Sequence, residues 1–389
     1  MSTDLEAQLR AAFDAASELV TPHGDLAGRV RRAVRRRRHQ SAAAVTAIIF
    51  LAAASILTGL VLTARQAATH GKTAHHVLVR LRPGQDAEAI AVSGKYLYVA
   101  AEYSGNPPYT LSAYNSATGR LIRQVNIPAT PAALQAGPDN TVWLTFYPDQ
   151  TAGPCGAWLL TAGLAARSST DLACSRALQP TGPVTALTIR QNGQLETLTM
   201  PPTGRPGRAT MTPYAHLGRY AVSALARVRG RVAALVTNDF GNSHVVTAQR
   251  GTSFGGLPGP LVSSMAAGAS SLWVTTEPGT GPSAGPLLQL SPALGPITPP
   301  AIRANPILRR AAHVWTSQNT VWVATATPGH HLVCFTDRAR PGPITTIPVP
   351  AQPAALATAR HTAYLTLASP RGGAAPPEVL AYHIPPACR

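Results

Sequence analysis

Two histidine pairs, His75-His76 and His330-His331, and four cysteines are the residues of this chain best equipped for chemistry. Adjacent imidazoles could share a metal ion. Neither pair has a CxxC or HxxxH element near it, however, and zinc sites are built on such spacing. The histidines therefore read as solvated or structural. The carboxylates beyond residue 64 sit singly, many of them in turns, as Asp139 and Asp149 do. A serine nucleophile would need a GxSxG elbow between a strand and a helix; that spacing occurs at 251–255 and 281–285, both in Gly/Pro-rich stretches with no helical pattern after them, so no nucleophile is assigned. No catalytic residue, metal ligand or cofactor site is assigned, and binding is expected in place of catalysis.

The cysteines, Cys155, Cys174, Cys334 and Cys388, all follow residue 64. An even number without ligand spacing reads as two disulfides in an oxidising compartment. Three pairings are possible. Proximity favours Cys155–Cys174 across one hairpin, which leaves Cys334–Cys388 to tie down the C-terminal tail.

What places those cysteines outside the cell is the stretch Ser41 to Thr63, SAAAVTAIIFLAAASILTGLVLT, which carries no charge. As a helix it is long enough for a ~30 Å hydrocarbon core. Ahead of it stands a dense basic cluster, Arg31, Arg32, Arg35, Arg36, Arg37 and Arg38; behind it come only Arg65 and Lys72. The positive-inside rule then puts residues 1–40 in the cytoplasm and the remainder outside. The apolar run exceeds that of a cleaved signal peptide, so an uncleaved single-pass anchor in the cell membrane is expected. The cluster would rest on anionic lipid.

Residues 3–20 have the pattern of an amphipathic helix, with Thr3 and Glu6 as a capping pair and Leu5, Leu9, Phe13, Ala16 and Val20 at helical spacing. A lone helix of this kind is either part of the membrane-targeting segment or a dock for a cytoplasmic regulator. The layout of small cytoplasmic piece, one span and outer domain resembles membrane-bound anti-sigma factors of actinobacteria. The zinc-type motif of that family is absent, because the segment has no cysteine.

Net charge is +17, and residues 65–389 still hold 25 Lys+Arg against 11 Asp+Glu. These cations are scattered along the sequence and no recognition-helix pattern accompanies them, which argues against nucleic acid. Pro (36) and Gly (32) are abundant and charged residues few (13%), a mixture that favours many turns over long helices.

Beyond residue 76 the chain repeats itself. Short apolar cores recur at Tyr98-Val99-Ala100, Trp143-Leu144-Thr145, Leu235-Val236-Thr237, Trp273-Val274-Thr275, Trp322-Val323-Ala324 and Tyr364-Leu365-Thr366, with a weaker copy at Leu187-Thr188-Ile189. The mean step is about 44 residues, near that of a propeller blade. An apolar anchor precedes each core by eight to ten residues: Ile90, Leu134, Leu178, Leu225, Met265, Val314 and Leu356. Turn signals between anchor and core mark a hairpin, and a third strand follows a Gly/Pro-rich loop. In the first copy a fourth strand is expected at Leu121 to Ile127. The last copy stops at its third strand, while Val77 to Leu81 forms an orphan strand ahead of the first anchor. The orphan is expected to complete the last blade and close the ring, with Cys334–Cys388 bracing it.

Copies such as residues 131–146, PAALQAGPDNTVWLTF, and 96–128 resemble the YVTN-type repeats of bacterial surface propellers of actinobacterial type. They are similar also to streptogramin-lyase-like propellers. The resemblance covers roughly 77–388, fits the third copy poorly, and implies a fold with little about activity. The metal-supporting His and Glu of the lyases are not matched. Nor does a recurring Trp follow the Thr118-Gly119 turn, as quinoprotein dehydrogenases would require.

The expected organisation is all-β: a cytoplasmic basic helical segment (1–40), a transmembrane helix (41–64), a linker (65–76) and an extracytoplasmic seven-bladed β-propeller (77–389). The expected role is recognition of an extracytoplasmic protein or anionic envelope polymer. The alternatives are a transmembrane sensor whose residues 1–40 bind a cytoplasmic regulator, and a propeller lyase or oxidoreductase.

Overall fold

The computed structural model describes residues 75–389, apart from 104–105, 148–154, 172–176, 191–192, 204–206, 218–219, 239–241, 251–260, 277–284, 318, 327–328, 339–340 and 369–376. The helical segment expected at 1–40, the span expected at 41–64, the cluster of Arg31 to Arg38, and Cys174 thus lie outside the described residues. Among those described, no helix is long and apolar enough to cross a membrane.

The strands form seven antiparallel sheets. Blade 1 is β2 (Gln85–Ser93), β3 (Tyr96–Tyr103), β4 (Asn106–Asn115) and β5 (Leu121–Ile127). Blade 2 is β6 (Thr130–Ala136), β7 (Val142–Tyr147), β8 (Gly156–Leu160) and β9 (Arg167–Thr170). Blade 3 is β10 (Leu178–Pro180), β11 (Thr185–Ile189), β12 (Gln194–Thr199) and β13 (Thr210–His216). Blades 4 and 5 have three strands each among the described residues: β14 (Ala221–Val228), β15 (Arg231–Thr237) and β16 (Ser243–Ala248), then β17 (Val262–Ala267), β18 (Leu272–Thr276) and β19 (Leu287–Leu290). Blade 6 is β20 (Ala311–Ser317), β21 (Thr320–Thr325), β22 (His331–Thr336) and β23 (Thr345–Pro348). Blade 7 is β24 (Pro353–Ala359), β25 (Thr362–Leu367) and β26 (Glu378–His383), completed by β1 (His75–Arg80).

Every expected anchor falls on the first strand of a blade and every expected core on the second. The first strands touch one another in a closed cycle, β2 to β6, β10, β14, β17, β20, β24 and back to β2. The orphan strand does close the ring: β1 lies antiparallel to β26, with Val77 opposite Leu380. It begins two residues earlier than expected, taking in His75 and His76 from the assigned linker, because the His75 ring stacks on Tyr382 at 5.1 Å.

There is no single core. Buried apolar side chains gather in seven clusters, and each cluster lies between two neighbouring blades. Strand alternation explains this, since successive side chains point to opposite faces of a sheet. In β7, Trp143 packs towards blade 3 and Leu144 towards blade 1. A second strand covered on both faces must be apolar without interruption. That is why the cores read as continuous apolar triplets. The fully buried Trp143, Trp273, Trp322 and Tyr98 are packing residues between blades.

The same aromatic position also carries a repeated polar tie. The Gly163 N–H donates to the Tyr98 hydroxyl at 2.9 Å, joining blade 1 to the turn after β8 in blade 2. Burial pushes the Tyr98 phenol up, and the Gly163 bond opposes that. In blade 5 the Trp273 indole donates to Asp337 Oδ1 at 2.9 Å, one residue past β22 of blade 6. The Tyr364 hydroxyl donates to the Ser116 carbonyl at 3.1 Å, so blade 7 is tied to blade 1 in the same way. Trp143 and Trp322 occupy this position with no hydrogen-bond partner among the described residues.

The Cys334–Cys388 disulfide is present, with Cα atoms 5.7 Å apart. It links β22 of blade 6 to the turn Pro386–Cys388 that follows β26. The bridge therefore secures the tail from the blade 6 side and holds β26 in place as a template for β1. Cys155 is also disulfide-bonded.

Candidate functional site

In a blade of four antiparallel strands, the turns between strands one and two and between three and four share one end. The connections between strands two and three, and from one blade to the next, share the other. Cross-blade contacts confirm that these ends line up around the ring. Gly94, in the first turn of blade 1, lies against Asn140 in the first turn of blade 2. The Ala269 N–H, in the first turn of blade 5, donates to Asp337 in the turn after β22 at 2.7 Å. The propeller thus has a turn face and a loop face.

The two faces differ in length of chain. On the turn face the first hairpins are tight, closing at 94–95, 229–230 and 360–361. On the loop face the connections within blades 2, 5 and 7 run over 148–155, 277–286 and 368–377. Loops on a rigid scaffold are where recognition residues concentrate. A cleft of about 290 Å³ opens on the loop face beside the short helix α1 (Pro300–Ala304). Leu287, Ile302 and Leu308 form its apolar wall, and the exposed Arg303 and Arg309 stand at its rim. This arrangement suits an apolar group carried on an anionic or polar chain.

The faces differ in charge as well. The first turns place Lys95, Arg229, Arg231 and Arg360 on the turn face, and the second turns add Arg120, Arg208, Arg250 and Arg338. All are exposed except the half-buried Arg231, and none is in an ion pair among the described residues. The acids described there are Asp139, which is exposed, and Asp337, which is engaged with blade 5. The loop face is mixed. Both ion pairs among the described residues lie at that end, Arg190 with Glu196 at 2.7 Å and Arg80 with Glu378 at 3.2 Å.

Of the residues singled out in the sequence, the histidine pairs end up at opposite ends of the ring. His75 and His76 are exposed on the turn face, and His330-His331 stands at the loop-face end of β22. Among the described residues no three His, Cys, Asp or Glu side chains gather to hold a metal. Asp139 stands exposed in the first turn of blade 2, and Asp149 lies outside the described residues. Cys155 opens β8 at the loop-face end. Sequence reasoning took the cations to be scattered, and missed their concentration on one face. The signal was in the offset of such a cation from its blade's core: Lys95, Arg360 and Arg231 precede a core by three or four residues.

No protein-family model matches the sequence, and no curated protein matches it. Solved structures do. The Pan2 WD40 domain of Neurospora crassa has a TM-score of 0.52 at 11% identity, with 82% of this chain and 98% of that chain covered. The Cps50 (Swd1) β-propeller domain of Myceliophteria thermophila follows at 0.49 and 9% identity, with 80% and 100% covered. At these identities what the Pan2 likeness shows is the fold: the chain is a seven-bladed β-propeller.

Proposed function

We propose that this chain is a membrane-anchored, extracytoplasmic binding module whose loop face recognises a protein partner. The observation that carries the reading is the apolar cleft with its arginine rim on the loop face, the same face that receives the connections 148–155, 277–286 and 368–377. The formed disulfide supports an oxidising compartment. The charge-free stretch 41–63 behind its arginines supports an anchor with the propeller outside.

The partner presents an apolar side chain flanked by carboxylates, to fit the cleft wall and the Arg303 and Arg309 rim. Photo-crosslinkers placed at Arg303 and, separately, at Arg360 of the full chain test this in native membranes. Adducts with an envelope protein from position 303 alone are expected. Adducts from 360 alone, or from neither, would sink the reading. The anchor is tested separately: the full chain should stay with membranes through alkaline extraction.

A further inference from the structure

The turn face has not yet been given a role, and its charge is its plainest property. We propose that the turn face docks against an anionic phospholipid bilayer, so that the propeller lies turn face down with its loop face outward. The inference rests, for its orientation, on the proposed anchor at 41–63.

Two independent observations lead to it. The first is charge. Among the described residues, eight cations outside any ion pair stand on one face, distributed over blades 1, 3, 4, 6 and 7, against one exposed acid, Asp139. Carried on different blades, they make a broad surface with cations at many bearings. A planar array of phosphates can meet all of them together, whereas a single extended polymer would follow only some. Exposed arginines and lysines near an anionic surface are each attracted to it, and the attraction is screened by salt.

The second is the point of chain entry. As the fourth strand of blade 7, β1 runs from the turn face to the loop face, and its first residue, His75, pairs with Tyr382 near the turn-face end of β26. Whatever precedes His75 therefore joins the propeller at its cationic face. No more than eleven residues, 64–74, separate the proposed span from that point of entry.

The test uses residues 70–389, which contain the whole closed ring and all seven inter-blade clusters. Co-sedimentation is measured with vesicles of phosphatidylglycerol and phosphatidylcholine, and with vesicles of phosphatidylcholine alone. Binding to the anionic vesicles only, weakening steeply between about 50 and about 200 mM salt (roughly the range over which the Debye length halves), is the expected result. Replacing Lys95, Arg229, Arg338 and Arg360 by Gln should weaken it by at least about tenfold. A loop-face control, Arg303→Gln with Arg309→Gln, should leave it unchanged. Circular dichroism of both variants checks that the ring is intact.

Equal binding to both vesicle types, equal loss in the loop-face control, or binding to soluble polyphosphate with none to vesicles would each overturn the proposal. Failure of the anchor is distinguishable. If alkali strips the full chain from membranes while the propeller still binds anionic vesicles, the anchor fails and the lipid-binding face stands.

Discussion

The Tyr364 hydroxyl reaches across the seam of the ring to the carbonyl of Ser116, a residue 248 positions earlier in the chain, at 3.1 Å. It is the tie by which the last blade recognises the first. Tyr364→Phe keeps the ring in the inter-blade cluster and removes only this bond. A loss of about 1 kcal/mol is expected in urea unfolding. Tyr98→Phe, at the same position in blade 1, should cost about as much, since it strands the Gly163 N–H.

Asp337 is a heavier joint. Its carboxylate accepts from the Ala269 N–H and the Trp273 indole, while its own N–H donates to the Asn319 carbonyl at 2.6 Å. Removing a charged acceptor leaves two donors at the blade 5–6 interface without a partner. Asp337→Ala should cost about 2–4 kcal/mol. Trp273→Phe should be more harmful than Trp322→Phe, because the Trp322 indole has no partner to lose among the described residues. A double-mutant cycle of Asp337 and Trp273 should show coupling of about 1 kcal/mol or more; strict additivity would contradict the joint.

Gly119 marks the same seam from the other side. Its φ is +67°, and a Cβ there would stand 1.9 Å from the Leu78 carbonyl oxygen of β1. Gly230 has a φ of +80° with open space around it. Both alanine variants pay the left-handed conformation, about 1–2 kcal/mol. Only Gly119→Ala must also push β1 aside. Its melting temperature should fall clearly below that of Gly230→Ala.

Tyr382 is buried, and its hydroxyl has no hydrogen-bond partner among the described residues. Burial pushes its phenol up to about 12. A folded-state value above the unfolded value of about 10 favours the protonated form in the native protein. The contribution is therefore complete below pH ~10 and is lost as pH rises towards 12. Alkaline unfolding should begin in that window, followed by phenolate absorbance at 295 nm. Tyr382→Phe should be neutral or slightly stabilising at pH 7, and should remove one late-titrating phenol.

Opening the disulfide should be costly. Cys334 and Cys388 are 54 residues apart, and closing a loop of that length in the unfolded chain is worth about 4 kcal/mol. The Cys334→Ala with Cys388→Ala variant should lower the urea midpoint accordingly. A variant as stable as the parent would show that blade 6 holds the tail without the bridge.

The inner two strands of each blade were legible because burial on both faces forces an apolar triplet, and a tight turn fixes its distance from the anchor. The outer strands were legible in fewer places, at β5 and at the orphan strand β1. They are covered on fewer sides, so β9 can read Arg167-Ser168-Ser169-Thr170 and β5 can expose Leu121 and Ile122. Blade 3 looked the weakest copy because β10 has three residues and β11 has no aromatic, yet it is complete with four strands. Its polar third and fourth strands carry the blade. The candidate site was least legible of all, since a face is assembled from one or two residues per repeat and no stretch of sequence contains it.

The pairing of β1 with β26 also sets a timetable. The first strand of the ring to be synthesised is bonded to the last, with Arg80 and Glu378 separated by 298 residues. Until the ribosome has delivered residues 378–383, β1 has no neighbour to lie against, and the apolar side of the strand at Val79 waits uncovered. Six blades can be assembled as the chain emerges, but the seventh is finished only once residues 378–383 have followed. A transcript cut before codon 378 would lose β26 and leave an open arc with two bare ends.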